Sequence, residues 1–206
     1  MVTIMKEKFD IEIKSKLEDV VIIDYGIING DSTIVFIKAG QNGSLYGYKN
    51  KYIKMARRIN EKYGCSVICS SNPFDGKNPL DNAFEIIDDY AKKFDDYKVY
   101  YLGFSNGALI GAWFGTKYNK IRRMCLVNGP LMYNWHNTKE GVLNSSCERI
   151  NFVYGEMDQS VRYLPLLNNI TNDKIKLYTL YEDHHFSFND DDFQTLPDKY
   201  LFYDYT

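Results

Sequence analysis

Between Val99 and Gly115 the chain reads VYYLGFSNGALIGAWFG, an apolar run that ends in glycine and resumes as a helical pattern of small residues. A run rich in aromatic and β-branched residues suits a buried strand. Ala108, Gly111 and Ala112 leave little bulk beyond it, so the following helix can pack closely on a sheet. Ser105 sits between Gly103 and Gly107 at the joint. A serine presented on a sharp strand-to-helix turn adopts a strained backbone conformation, and its neighbours two positions away must be small to avoid collision. A turn serine that merely caps the helix is the plain alternative. A base and a carboxylate elsewhere in the chain would separate the two readings.

The rest of the sequence alternates strand-like runs with helical periodicity, the pattern of a mostly parallel sheet covered on both faces. Phe9 to Lys14 and Asp19 to Gly26 are close enough in sequence for an antiparallel hairpin at one edge. Ser32 to Gly40 reads as a buried strand ending in a glycine-bearing loop. A helix carrying Tyr52, Ile53, Ala56 and Ile59 on one face follows and stops at Gly64. The run CSVICSS is the next strand, and the loop NPFDGKNP after it is rich in turn residues, with Asp75 read as one of them. Pro79 to Phe94 has helical spacing, and strands follow at YKVYYLGF, RRMCLVNG, RINFVYG and KIKLYTLY. Pro130 to about Glu148 is a segment of mixed turn residues, SVRYLPLLNNI has helical character, and a last helix runs from about Asp191 to near Tyr200. About eight strands with crossover helices make one α/β domain over residues 1–206.

Bulk properties exclude several classes. A chain of 206 residues buries a sizeable core without disulfide or metal staples. The net charge of −2 leaves no basic footprint for nucleic acid, and the pairs at Arg57 and Arg122 read as solvated ends of elements. No window holds 18 uninterrupted apolar residues, so no membrane span is expected. The stretch MVTIMKEKFDIEIK carries charges every few residues and lacks the apolar core of a signal peptide, which points to a cytoplasmic location. Cys65, Cys69, Cys125 and Cys147 read as small buried hydrophobes, with no histidine at metal-ligand spacing.

A serine hydroxyl needs an adjacent base, itself oriented by a carboxylate. The chain has three histidines. His136 lies in the mixed segment, where a surface role outweighs a place in a pocket wall with Tyr133 and Trp135. His184 and His185 follow the last strand. In the chain order serine, acid, histidine that strand-to-helix serine elbows of this kind imply, only that pair leaves room for an acid between it and Ser105 on a strand-end loop. Asp158 follows the strand RINFVYG and is the candidate acid, with Glu156 a rival at the strand end. Asp173 precedes the last strand, at the wrong end of a parallel sheet. Asp158 also stands where it could cap a helix starting near Gln159, so an orienting role implies a carboxylate turned across to the histidine.

These segments together resemble the α/β-hydrolase superfamily over nearly the whole chain. GFSNG resembles its nucleophile elbow, YGEMDQSV its G-x-x-D acid loop, and EDHHFSF its D-H-x-F histidine loop, a register that aligns His184 with the base. The resemblance implies a Ser105–His184–Asp158 triad and an oxyanion hole built from the backbone N–H groups of Asn106 and Gln41, with Asn42 the second choice for the latter. Family members often carry His-Gly before that donor, where this chain has Ala39-Gly40. The short insertion after the sixth strand implies little or no cap. The resemblance further implies a serine hydrolase acting on an ester or related acyl bond of a small molecule, with no metal or organic cofactor. An acyltransferase with the same triad, and a non-catalytic binding protein on this scaffold, are the alternatives. Substrate and oligomeric state are not legible.

Overall fold

The structure is a computed structural model that describes residues 7–17, 20–73, 79–130, 133 and 135–203, with only the backbone of Pro79 and Thr116. Asp75 lies outside the described residues.

The first hairpin pairs β1 (Ile11–Leu17) antiparallel with β2 (Val21–Ile28). β3 (Asp31–Lys38) leads through the glycine-bearing loop to α1 (Lys51–Tyr63). That helix ends where the sequence stops it: Gly64 takes the left-handed conformation (φ 72°) that favours glycine, and its N–H closes on the Asn60 carbonyl. β4 (Cys65–Ser70), α2 (Pro79–Ala91), β5 (Lys98–Phe104), α3 (Asn106–Phe114) and β6 (Ile121–Val127) follow. The mixed segment after β6 forms one helix, α4 (Trp135–Asn144), then come β7 (Arg149–Gly155), the short α5 (Leu164–Asn168), β8 (Ile175–Leu180) and α6 (Asp190–Tyr200).

The eight strands form one sheet in the order β1-β2-β4-β3-β5-β6-β7-β8. Pairing is parallel from β4 through β8 and antiparallel at the β1-β2-β4 edge, the expected mostly parallel sheet. Strand alternation sends Ile34 and Phe36 to the core beneath α2 and α3, while Val35 and Ile37 enter the core beneath α1 and α6. Both faces are therefore covered, which is why β3 to β7 read as near-continuous apolar runs and not as alternating ones. Cys65, Cys69, Cys125 and Cys147 are all free and buried.

α4 lies flat on α3. Gly141 is the contact point, since a methyl group there would meet the Ala112 carbonyl at 1.8 Å, and Trp113 Nε1 donates to Thr138 Oγ1 at 2.8 Å. Among the described residues the insertion after β6 thus holds one helix of ten residues and no cap domain. None of the described helices is long and apolar enough to cross a membrane.

Candidate active site

Parallel strands deliver their C-terminal ends to one edge of the sheet, where loops can converge. Here Lys38 of β3 pairs with Gly103 of β5, Phe104 with Val127 of β6, Val127 with Val153 of β7, and Gly155 with Leu180 of β8. The segments beginning at Ala39, Ser105, Asn128, Glu156 and Tyr181 therefore leave from adjacent positions.

Ser105 stands at the β5–α3 joint with φ 51° and ψ −118°, outside the regions open to most L-residues. Its N–H donates to the Val127 carbonyl at 2.8 Å, and its carbonyl accepts from Ala108 N–H at 2.9 Å, so backbone bonds on both sides hold the turn. The flanking glycines are required by contact. A Cβ at Gly103 would lie 2.6 Å from the Gly107 carbonyl oxygen, and one at Gly107 would lie 2.5 Å from the Lys38 carbonyl oxygen. The serine does not cap α3, because its side chain makes no hydrogen bond to that helix. It lines a cavity of about 390 Å³ together with Gly40, Gln41, Asn128 and His184.

Asp158 and His184, 26 residues apart, meet through His184 Nδ1 and Asp158 Oδ2. Asp158 is buried and His184 is partly open to the cavity, with side-chain exposures of 2% and 40%. The carboxylate serves both the helix cap and the histidine. Oδ1 accepts from Ser160 N–H at 2.5 Å, capping the turn Gln159–Tyr163, while Oδ2 takes the histidine. Burial by itself pushes the Asp158 carboxyl up, but the hydrogen bonds from His184 and Ser160 outweigh it and hold the group below its ordinary value. An ionised Asp158 fixes the tautomer with the proton on Nδ1 and leaves Nε2 as an acceptor.

Among the described residues, the other candidates make no contact with Asp158 or Ser105 that would place them in the same relay. His185 lines the same cavity, and its backbone N–H donates to Asp183 Oδ1 at 2.9 Å. Glu156 is exposed and accepts from Thr179 Oγ1 on β8. Asp173 is exposed in the turn before β8. His136 is a surface residue of α4, 3.4 Å from Glu140, and Trp135 lines a separate hollow with Lys139 and Leu143.

In the loop after β3, the N–H of Asn42 donates to Asn72 and that of Gly43 to Gly40, both at 2.8 Å. Gln41 N–H has no acceptor among the described residues, and Asn106 N–H opens α3, where no intrahelical acceptor exists. Two residues that the sequence did not single out connect these pieces. Asn72 Nδ2 donates to the Ala39 carbonyl at 2.9 Å and to Asn106 Oδ1 at 3.0 Å, tying the β3 loop to the elbow. Asn128, buried with φ 49°, accepts from Gly155 N–H at 2.8 Å through Oδ1. Its Nδ2 donates to the carbonyls of Asp183 and His184 at 3.3 and 3.2 Å. In sequence both sit before proline or glycine and read as ordinary turn asparagines; their one signal was position directly after a buried strand.

The chain superposes on Est1E from Butyrivibrio proteoclasticus with a TM-score of 0.71, at 12% identity, covering 95% of this chain and 99% of the other. The chain has the α/β-hydrolase fold. An esterase from Pyrococcus furiosus, Pf2001, matches with a TM-score of 0.69 at 14% identity, covering 93% of this chain and 92% of that one. A thioesterase domain from the curacin biosynthetic pathway matches with a TM-score of 0.65 at 11% identity, over 90% of this chain and 98% of that domain. No family model and no curated protein matches the sequence. Within this α/β-hydrolase fold, the three side chains Ser105, Asp158 and His184 come from the loops after β5, β7 and β8.

Proposed function

We propose that the protein is a serine hydrolase cleaving an ester or related acyl bond. The observation that carries this reading is the arrangement at one sheet edge: a strained Ser105 and a His184 oriented by a buried Asp158 line the same cavity. Helix capping or packing accounts neither for the strained backbone of Ser105 nor for the contact between His184 and Asp158. The esterase and thioesterase neighbours support the same class of chemistry.

In this reading Ser105 Oγ attacks the acyl carbon while His184 Nε2 takes its proton. Asp158 keeps the imidazole in the correct tautomer and stabilises the imidazolium. Negative charge develops on the carbonyl oxygen, within reach of the N–H groups of Gln41 and Asn106, which find no acceptor among the described residues. The imidazolium then protonates the leaving group, and an acyl-enzyme remains on Ser105. Water attacks it with His184 again acting as base, releasing the acid and restoring the hydroxyl. Ser105 Oγ makes no hydrogen bond to His184 in the free protein, in keeping with catalytic contacts that tighten only when substrate is bound.

A fluorophosphonate probe and graded p-nitrophenyl esters, run beside a thioester panel, test the proposal. Wild-type protein is expected to label and to turn over at least one panel, and Ser105→Ala to do neither. An intact fold that neither labels nor hydrolyses defeats it. Full labelling of Ser105→Ala shows the nucleophile to be another residue. Transfer of the acyl group to an added alcohol in preference to water would identify an acyltransferase.

A further inference from the structure

Hydrolysis as such does not need the charge pattern beside the Ser105 cavity. A larger hollow of about 640 Å³ opens from it, and the two share Tyr48, Lys51, His185 and Phe193. Lys49, Lys51 and Lys54 line this hollow, against one lining carboxylate, Asp190. Phe193 forms its apolar part and stacks on Phe104, the residue before the nucleophile, with ring centroids 4.8 Å apart. The path from Ser105 through Phe104 and Phe193 ends at Lys51, whose ammonium stands 4.5 Å from the Phe193 ring centroid.

Lys51 is the informative residue. Among the described residues it makes no ion pair, and the groups recorded against its ammonium are aromatic rings, Phe193 and, at 5.5 Å, Tyr52. Burial pushes its pKa down, and the Asp183 charge opposes this only in part. The Asp183 carboxylate is already used by the N–H groups of His185 and Ser187, at 2.9 and 3.0 Å, and by the Ser187 hydroxyl. Lys49 lies over the Tyr48 ring, and Lys54 reaches Glu7 at 3.8 Å in an exposed pair. The ring face attracts the ammonium but does not neutralise its charge. An anion brought into the same hollow would supply the missing counter-charge.

We propose that this hollow is a substrate subsite for an anionic group, carried at the far end of an apolar or aromatic portion of the ester, with Lys51 the specificity-determining residue and Lys49 and Lys54 adding to the field. The proposal rests on the hydrolase reading above. The anion belongs either to the acyl chain or to the leaving alcohol, and two matched pairs of esters separate these. Monomethyl suberate against methyl octanoate tests the acyl side at similar length. 4-Acetoxyphenylacetate against its methyl ester tests the leaving-group side with little change in phenol acidity.

At low salt, kcat/KM for the charged member of one pair is expected to exceed that of its neutral partner by about tenfold. The preference is expected to shrink severalfold at about 0.5 M NaCl, because the lysines are open to solvent. Lys51→Met keeps an apolar stem over Phe193 and brings the ratio toward one, and Lys51→Glu inverts it. Ratios within about twofold of one for both pairs at low salt overturn the subsite, as does a preference indifferent to salt or to Lys51→Met. If the neutral esters are cleaved and the charged ones are not preferred, the subsite fails and the hydrolase reading stands. If no ester is cleaved, calorimetric binding of suberate and 4-hydroxyphenylacetate to the Ser105→Ala protein tests the subsite on its own. Binding weakened by salt and by Lys51→Met supports it, and no binding overturns it.

Discussion

The conformation of Ser105 makes a stability prediction that needs no substrate. Replacing a residue by glycine ordinarily costs about 0.5–1 kcal/mol relative to alanine, because the unfolded chain gains freedom. At Ser105 the sign should reverse. With φ 51° and ψ −118° the residue lies outside even the left-handed helical region that asparagine tolerates, and such a backbone costs roughly 1–3 kcal/mol when a Cβ is present. Ser105→Ala keeps the Cβ and the strain, and loses no hydrogen bond, since Ser105 Oγ makes none to a described residue. Ser105→Gly removes the strain while the backbone bonds to Val127 and Ala108 remain. The difference leaves Ser105→Gly more stable than Ser105→Ala by on the order of 1 kcal/mol, or about 2–4 °C in Tm for a domain of this size. Urea titration of the two purified variants, with equal m-values as the check on two-state behaviour, measures it directly. Both lack the hydroxyl, so activity does not enter. If Ser105→Gly proves less stable than Ser105→Ala by the ordinary glycine cost, the elbow is unstrained and the argument for a presented nucleophile loses its physical basis.

Asp158→Asn is expected to lower kcat by about 10⁴ with the fold retained, because an amide no longer holds His184 in the tautomer that accepts at Nε2. A carboxyl held below its ordinary value adds stability above about pH 4 that is lost as pH falls through the folded value, so the gap in thermal stability between wild type and Asp158→Asn should be widest near neutrality and close in acid. Asn128→Ala strands the Gly155 N–H and two loop carbonyls, costing about 1–3 kcal/mol in urea melts. By loosening the His184 loop it should also lower kcat by about ten- to a hundredfold with a smaller change in KM; an unchanged kcat would make Asn128 purely structural. Burial pushes the Cys65 thiol up to about 12 and raises those of Cys69, Cys125 and Cys147 as well. A thiol-reactive dye should therefore leave all four cysteines unmodified in native protein and titrate them after denaturation.

Much of the architecture was legible because its causes are local. Gly64 stops α1, the continuous apolar runs of β3, β5 and β6 are buried on both faces, and the small residues of α3 let it lie against Tyr101. The turn-rich composition of the segment after β6 hides the helix α4, whose packing rests on a fit visible only in three dimensions, Gly141 against the Ala112 carbonyl. Asn72 and Asn128 were missed for a related reason: each joins segments 25 or more residues apart, and nothing in the neighbouring sequence reports the partner.

The chain by itself determined the alternation of strands and helices and the glycines on either side of Ser105. Each follows from sterics or hydrophobic periodicity within a few residues. Tertiary structure decided that β4 inserts between β2 and β3, that His184 and not His185 reaches Asp158, and that one carboxylate serves both helix cap and histidine. It also decided that Lys51 ends beside the Ser105 cavity on the ring of Phe193, which lies 142 positions further along the chain. Those outcomes depend on which strand ends the sheet brings together, a property of long-range pairing that no local pattern encodes.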